Sequence, residues 1–404
     1  MKPSFGWTLL SRDALRRAET QLRVDDVGVL DEIGFLALHQ AYADRFFPGT
    51  SVLHTRLRYV LFIPWMYERI AKLRSRVPIA ETIEEEELEL TKRLKLSNES
   101  GVIGEQNYPK PTVQPPSMTY WSALNTWRII RPVDNGTYPS RRMLHQSLRR
   151  QSSQHLVHDD DKQPLFTERS TFVALPSPPV AWDNSHLPLT FNLEPDEREF
   201  LQKQLLGVSR PGEPGRMSLL SRLVKRNVSL TAETELWSQS VLSAADTYDR
   251  AALMRAKQAA ALAAIGRAVY SALVEQLRTQ DGLAASDHHL NQLREIVDRF
   301  RADAMRLTVE DICIDAPSML THILAVLRAT QLWLTKGNSD PSSLLEIYAK
   351  AESNRRGPRA RLSPFLSGKE KRAEWIPNKH PKPEPLHYRW KNVRRLLIDL
   401  QEAT

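Results

Sequence analysis

The sequence has little of the features that would place it in several large classes of protein. A single cysteine, Cys313, stands among 404 residues, so neither an internal disulfide nor a cysteine metal cage can form. No apolar run approaches the roughly 18–20 residues that span a bilayer. The first residues become charged too soon for a secretory signal peptide. These absences lead us to expect a cytoplasmic protein without a membrane partner.

Motifs of the common catalytic classes are also missing. The sequence contains no GxxxxGKS/T loop for nucleotide phosphates, no GxSxG elbow and no HExxH zinc motif. The run His380–Lys382 begins like a phospholipase-D signature, but His387 stands where that signature has its aspartate. Cys313 has apolar neighbours and no nearby histidine, so we expect a buried thiol rather than a nucleophile. We therefore expect a non-enzymatic protein without a cofactor.

Positive charge is concentrated near the C-terminus. The chain has 56 Lys and Arg against 48 Asp and Glu, a net charge of +8. Residues 350–395 alone contain fourteen basic and four acidic residues, a net charge of +10, so the remainder is close to neutral. A basic block on a neutral body favours a polyanionic partner.

Apolar spacing predicts a mainly α, multi-helical fold. Residues 246–279 contain no proline and are rich in Ala, Leu and Arg, which is typical of one long helix. Further helices are predicted over 287–306 and 317–335. Helical spacing also recurs near the end of the chain, at Trp390, Val393, Leu396, Leu397 and Leu400. The fold class includes a possible winged-helix or helix-turn-helix-like unit and a basic C-terminal segment.

Composition divides the chain into consecutive parts. We predict an N-terminal helical domain at 1–100, a helix-turn-helix-like unit at 117–150, an irregular linker at 151–195, a helical bundle at 196–345 and a basic segment at 346–404. The linker is polar and rich in proline. Residues 78–100 run from acidic to basic, which favours a solvated helix supported by Glu–Lys pairs.

The segment 47–70 contains a turn at 48–49 and then a predicted helix that begins near residue 50. Pro64 should kink or end this helix. On such a helix His54 and Arg58 lie one turn apart and could form a polar site. We favour the alternative that the segment is structural, with a turn, a buried helix and an aromatic plug.

The predicted helix-turn-helix-like unit offers one candidate contact with DNA. A helix through Trp127 is followed by a turn at 132–136 and a second helix near Pro139. In a winged-helix arrangement the start of that second helix would enter the major groove. The candidate residues are Tyr138, Ser140, Arg141, Arg142, Arg149 and Arg150. The alternative is an ordinary helical hairpin.

The basic C-terminal segment offers a second candidate contact. Its candidates for binding phosphate are Arg355, Arg356, Arg359, Arg361, Lys369, Lys371 and Arg372. Three aromatic residues, Trp375, Tyr388 and Trp390, could stack on the bases of a single strand. The alternatives are a solvated surface with the aromatics in a local core, or a surface that docks a protein.

One cluster suggests a metal site. His155, His158 and the acidic run 159–161 could together hold a divalent ion. The segment is polar and flanked by proline, and no second cluster of ligands accompanies it. We therefore interpret it as a loop and predict no metal.

Several short strings resemble a known family when taken together. They are FGW at 5–7, FPGTSVLHTRLRYVLFIPWMYERI at 47–70, GVIG at 101–104, YWSAL at 120–124, RARL at 359–362 and HYRW at 387–390. They resemble an uncharacterised bacterial family known only as a domain of unknown function. Its members are often encoded in phage-defence neighbourhoods, as in Azaca-type systems, beside a Swi2/Snf2-like helicase and a phospholipase-D-like nuclease. The resemblance implies a defence role with those partners and supplies no catalytic residues.

The sequence leaves three functions open. The first is a non-enzymatic component of anti-phage defence that binds the backbone of nucleic acid, most simply DNA, or recruits a helicase and nuclease to it. The second is a protein-interaction scaffold that uses the long Ala-rich helix. The third is a nuclease or phosphohydrolase whose site has no recognisable motif.

Overall fold

A computed structural model describes residues 31–72, 78–133, 136–153, 170–283, 286–337 and 340–402. These residues form sixteen α-helices, which confirms the predicted mainly α, multi-helical fold. In chain order they are α1 (Leu36–Phe46), α2 (Tyr59–Lys72), α3 (Ile79–Leu96), α4 (Pro116–Thr119), α5 (Trp121–Thr126), α6 (Arg141–Ser153), α7 (Pro195–Leu206), α8 (Leu219–Lys225), α9 (Gln239–Ala244), α10 (Thr247–Gln280), α11 (His288–Met305), α12 (Ile312–Asp315), α13 (Thr321–Thr335), α14 (Leu345–Arg356), α15 (Leu366–Ala373) and α16 (Trp390–Gln401).

The described residues contain one small sheet and several short 3₁₀ helices. Strands β1 (Ser209–Arg210) and β2 (Glu213–Met217) pair antiparallel, with Ser209 opposite Met217. The 3₁₀ helices are Val180–Asp183, Val309–Asp311, Pro341–Leu344, Gly357–Arg359 and Pro377–Lys379. The described chain divides into two compact units. Unit 1 comprises residues 31–42 and 247–388, and unit 2 comprises residues 43–246 and 389–402.

Unit 1 is built around α10, whose 34 residues confirm the prediction of one long helix. Residues 259–264 of α10 are all buried, and five of these six are alanine. Because alanine is small, α10 can pack closely against neighbouring helices. At Gly266 even one added carbon would lie 2.6 Å from Cζ of Phe35, so the ring of Phe35 occupies the space that a side chain would need. The predicted helices over 287–306 and 317–335 are present as α11 and α13.

Unit 2 has an aromatic core around α2. The ring of Phe62 stacks on that of Trp182 at 5.7 Å and contacts Phe191 at 6.2 Å. Both partners come from the irregular segment 170–194. That segment was predicted as linker or coil. Apart from one 3₁₀ helix its described part is irregular, but five of its apolar side chains are buried: Phe172, Trp182, Leu189, Phe191 and Leu193. Helix α16 also belongs to this unit, and the five apolar residues predicted to share its inner face are all buried.

The predicted start of the helix after residue 50 is wrong. Residues 51–58 are a loop, α2 begins at Tyr59, and the helix continues past Pro64 to Lys72. Tertiary hydrogen bonds hold the loop. The hydroxyl of Tyr120 accepts from the backbone N–H of Thr55 and of Arg56, at 2.9 and 3.0 Å, and donates to the carbonyl of Arg56 at 2.7 Å.

His54 and Arg58 are therefore not one turn apart on a helix. His54 is fully buried and stacks on Tyr120 at 4.1 Å, and burial lowers its pKa to about 3. The guanidinium of Arg58 pairs with the buried carboxylate of Glu197 at 2.5 Å. Both side chains make buried contacts within unit 2, which supports the interpretation that the segment 47–70 stabilises the fold and does not form a polar site.

Helix α3 is less solvated than its charge pattern indicates. Lys92 pairs with Glu89 on the surface at 3.1 Å, as expected of a solvated helix. Glu87 and Arg93, however, are buried. The guanidinium of Arg93 donates to the carbonyls of Leu187 and Trp182 at 2.8 and 3.1 Å. Part of the apparent surface charge therefore lies inside unit 2.

The prediction of a buried thiol at Cys313 is also wrong, because this residue is exposed. It lies on α12, a helix of four residues whose first and last members, Ile312 and Asp315, are buried. Cys313 and Ile314 lie on the outer side of this single turn. Apolar neighbours in the sequence did not imply burial because only one face of the turn packs.

Candidate nucleic-acid interface

Helix α6 carries the predicted second helix of the 117–150 region. Leu144 and Leu148 are buried, whereas Arg142, Met143 and Arg149 are exposed, so one face packs and the other meets solvent. The helix contains no acidic residue. Ser140 lies at its start, where the Ser140 hydroxyl accepts from the backbone N–H of Met143 at 3.2 Å. Ser140 therefore has a capping role here.

The two helices of this region do not form a short helix-turn-helix. Residues 127–140 connect α5 to α6, whereas the motif uses a turn of about three or four residues. Ile129 and Ile130 are buried, and Ile130 forms an isolated β-bridge with Phe172. The connection is thus anchored in the core of unit 2 instead of making a tight turn between two exposed helices.

The connection presents arginines to solvent. Arg128 and Arg131, like Arg142 on α6, are exposed and form no ion pair or side-chain hydrogen bond with any residue that the structure describes. The backbone N–H of Val133 donates to the carbonyl of Thr137 at 2.8 Å and folds the chain back on itself. This turn returns the chain from Arg131 towards Tyr138 and the start of α6.

We name this region the basic surface and define it by Arg128, Arg131, Tyr138, Arg142 and Arg149. Residues 106–158 around it contain seven Lys and Arg and a single acid, Asp134. The side chain of Tyr138 is 38% exposed. Arg150 follows on α6, but its side chain lies outside the described part of the structure. Arg128 and Arg131 were not among the residues predicted from the sequence, although the scarcity of acids over 106–158 indicated them.

Arg141 differs from its neighbour Arg142. It is half-buried, and its guanidinium donates to the hydroxyl of Ser117 at 2.9 Å. It also lines a cavity of about 210 Å³ together with Glu87 of α3 and His145 of α6. The first two residues of α6 therefore face different surroundings, one a cavity and the other solvent.

In unit 1, most of the predicted basic contacts are paired with acids. The ion pairs are Arg355–Asp31 at 3.1 Å, Arg356–Glu32 at 3.7 Å, Arg361–Glu32 at 3.2 Å, Arg372–Asp281 at 2.7 Å and Lys371–Glu374 at 2.7 Å. Arg359 and Lys369 are exposed and form no ion pair or side-chain hydrogen bond with a described residue. A phosphate would have to compete with these carboxylates for most of the segment.

The three aromatic candidates for base stacking are buried, so this part of the prediction is corrected. Trp375 and Tyr388 lie in unit 1, and Trp390 lies in unit 2. The hydroxyl of Tyr388 donates to the carbonyl of Ala256 at 2.8 Å, and the indole N–H of Trp390 donates to the carbonyl of Thr234 at 2.7 Å. Their rings form parts of the cores and present no free face to a base.

Unit 1 also contains a buried polar cluster. The hydroxyl of Tyr270 donates to Oε1 of Glu352 at 2.7 Å, and Arg361 bridges Tyr270 and Glu32 at 3.3 and 3.2 Å. Burial raises the pKa of Glu32 to about 7, against the opposing effect of Arg361 and Arg356.

A cavity of about 10 Å³ adjoins this cluster, lined in part by Glu32, Tyr270 and His380. That volume admits about one water molecule. Nδ1 of His380 accepts from the indole N–H of Trp375 at 3.2 Å, and burial lowers the pKa of His380 to about 3. The cluster can hold a proton at Glu32, but its cavity has no room for a substrate.

No group of three or more His, Cys, Asp or Glu side chains in the described residues is placed to hold a metal ion. The proposed ligands His155, His158 and 159–161 lie outside the described residues. None of the described helices has the length and apolarity required to cross a membrane.

The described residues form a mainly helical protein, in which the segment 106–158 is rich in arginine and has a single acid in its sequence. Residues 4–344 match the model of DUF6361, a family of unknown function, and the chain belongs to this family. The match agrees with the resemblance to an uncharacterised family. No curated protein and no solved structure matches the chain.

Proposed function

We propose that this protein is a non-enzymatic, nucleic-acid-binding component of bacterial anti-phage defence, and that unit 2 holds the strand through the basic surface. The observation that carries the binding proposal is the exposure of Arg128, Arg131 and Arg142 without acidic partners among the described residues. Their guanidinium groups can bind phosphate without first breaking an ion pair. Each phosphate bound in this way releases condensed counterions.

The defence role and the protein partners rest on the resemblance given above. In this proposal the protein recruits a helicase and a nuclease to the strand that it holds. The protein itself contributes contacts with the backbone, which position the complex without reading sequence.

The two alternative functions gain less support. The Ala-rich face of α10 is buried within unit 1, so a scaffold could not use it without opening that unit. The buried polar cluster of unit 1, around Glu32 and His380, adjoins a cavity of about 10 Å³, which is too small for a substrate. Binding therefore remains the best-supported function.

Fluorescence anisotropy with labelled single- and double-stranded DNA at two salt concentrations tests the proposal. The triple variant Arg128→Ala, Arg131→Ala, Arg142→Ala should bind at least tenfold more weakly. For a single strand, its slope of log affinity against log salt should fall by about 2.

The matched control removes three exposed positive charges elsewhere in unit 2, by Lys203→Ala, Lys225→Ala and Arg226→Ala. This control should keep the parent slope. Absence of binding at low salt, or an equal loss in both triple variants, would refute the basic surface as the contact.

A further inference from the structure

The cavity beside Arg141 in unit 2 has the character of a ligand site. Its volume of about 210 Å³ corresponds to about seven water molecules at liquid density. One wall is α3, a second is a proline-rich segment that includes Pro115, and the third is the first turn and a half of α6. The cavity is therefore large enough for a flat molecule of about ten heavy atoms.

Glu87 supplies a hydrogen-bond acceptor on the α3 wall. Its side chain is buried, and Oε1 accepts from the backbone N–H of Ser117 at 2.8 Å. Burial raises the pKa of Glu87, and the hydrogen bonds from Ser117 oppose that rise. A carboxylate can accept up to about four hydrogen bonds, so Glu87 retains capacity for a ligand.

Arg141 and His145 supply polar groups on the α6 wall, and the guanidinium of Arg141 is a donor. Nε2 of His145 lies 2.8 Å from the hydroxyl of Tyr67, and either atom can be the donor of this hydrogen bond. Burial lowers the pKa of His145 to about 4, which leaves the ring neutral. A neutral imidazole has one donor nitrogen and one acceptor nitrogen.

We propose that this cavity receives one unstacked guanine base from a strand held on the basic surface. A guanine presents N1–H and its exocyclic amino group on one edge, which suits the carboxylate of Glu87. It presents O6 and N7 as acceptors, which suits the guanidinium of Arg141. An adenine would direct the lone pair of N1 at the carboxylate, so the site should discriminate between the purines.

The inference rests on the proposed function, because Arg141 and Arg142 are consecutive. The phosphate bound by Arg142 and the base received beside Arg141 would belong to the same nucleotide or to adjacent ones. Stacking is not needed for recognition here; the proline-rich wall and Ile83 provide apolar contact with the faces of the base.

The test compares three single-stranded thymidine oligonucleotides that carry guanine, adenine or an abasic position at the centre. Anisotropy should show about tenfold tighter binding of the guanine strand than of the abasic strand, with adenine close to abasic. Glu87→Gln should abolish the preference for guanine, because the amide replaces one acceptor oxygen by a donor.

A second variant tests the cavity independently, in case Glu87→Gln does not fold. Ala80 is exposed at the mouth of the cavity, so Ala80→Trp should block entry and remove the preference while leaving binding of the abasic strand unchanged. The matched control is Leu96→Trp, an exposed position of the same helix that does not line the cavity, and it should keep the preference.

The outcomes separate the two proposals. Equal, salt-dependent binding of all three strands would overturn the guanine site and leave the basic surface standing. Retention of the guanine preference in Ala80→Trp would likewise overturn this cavity as its location. Failure of every strand to bind at low salt would overturn both proposals.

Discussion

Two arginine-rich regions of this protein differ in whether their arginines pair with acidic side chains. In unit 1, Arg355, Arg356, Arg361 and Arg372 each pair with a carboxylate. In unit 2, the basic surface stands in a run of 53 residues with a single acid, and three of its arginines have no acidic partner among the described residues. Local net charge in the sequence is therefore a poor guide to a binding surface. The basic side chains are free to bind a ligand only where acids from distant parts of the chain do not already pair with them.

The largest expected effect is a loss of stability when a paired arginine of unit 1 is removed. The guanidinium of Arg372 is buried, pairs with Asp281 and donates to the carbonyls of Arg361 and Ser363 at 2.6 and 2.9 Å. Arg372→Ala should lower the free energy of unfolding by about 4 kcal/mol, because Asp281 and both carbonyls lose their partner. Urea denaturation measures this, and a loss below about 1 kcal/mol would show that the pair is not structural.

The second prediction concerns the pH dependence of unit 1. The pKa of Glu32 is about 7 in the folded protein, against an ordinary value of 4.5, so the folded state binds this proton more tightly. Its contribution to stability is full below about pH 4.5, is lost as pH rises through 7, and amounts to at most about 3 kcal/mol.

His380 acts in the opposite direction, since its lowered pKa costs stability as pH falls below 6.5. The variant Glu32→Gln isolates the Glu32 effect. The difference in unfolding free energy, variant minus parent, should increase from pH 5 to pH 8. A difference that stays constant with pH would contradict the assigned protonation of Glu32.

A third prediction compares the two regions by binding. The double variant Arg355→Ala, Arg361→Ala should change DNA affinity by less than about twofold, because these guanidinium groups already pair with Asp31 and Glu32. The anisotropy assay used for the basic surface measures this directly. A tenfold loss in a variant that is still folded would return the contact to the C-terminal segment.

The smallest expected effect is on stability at the basic surface. Arg142 is exposed and forms no ion pair or side-chain hydrogen bond with a described residue, so Arg142→Ala should change the free energy of unfolding by less than about 0.5 kcal/mol. Circular dichroism in urea gives the value. A larger loss of unfolding free energy would mean that Arg142 stabilises the fold through a structural partner and is not available to bind a ligand.

Helices whose formation depends on local sequence could be predicted correctly. The absence of proline over 246–279 was enough to predict α10, and the spacing of five apolar residues was enough to predict α16. Segments whose conformation depends on contacts with residues distant in the sequence could not be predicted. The loop at 51–58 depends on Tyr120 and on Asp399, whose carboxylate accepts from the backbone N–H of Leu57 at 2.7 Å.

Parts of the candidate site could likewise be predicted from local sequence, whereas other parts depend on distant residues. The second helix near Pro139 was predicted because its apolar spacing and its basic character are local properties. The pairing of Arg361 with Glu32 joins residues 329 positions apart, which no window of sequence reveals. The cavity at Glu87 was also missed, because a run of acids on one helix looks uniformly solvated until the chain folds over one of them.

The discontinuity of the two units has a consequence for synthesis of the protein. A ribosome that has made residues 43–246 has not yet made Asp399, on which Leu57 and Arg56 depend. Asp31 and Glu32 must likewise wait for arginines more than 320 positions downstream. Unit 1 cannot complete its contacts until translation has nearly reached the last helix, and unit 2 cannot do so until Asp399 within that helix has been made. The nascent chain should therefore be sensitive to proteases until then.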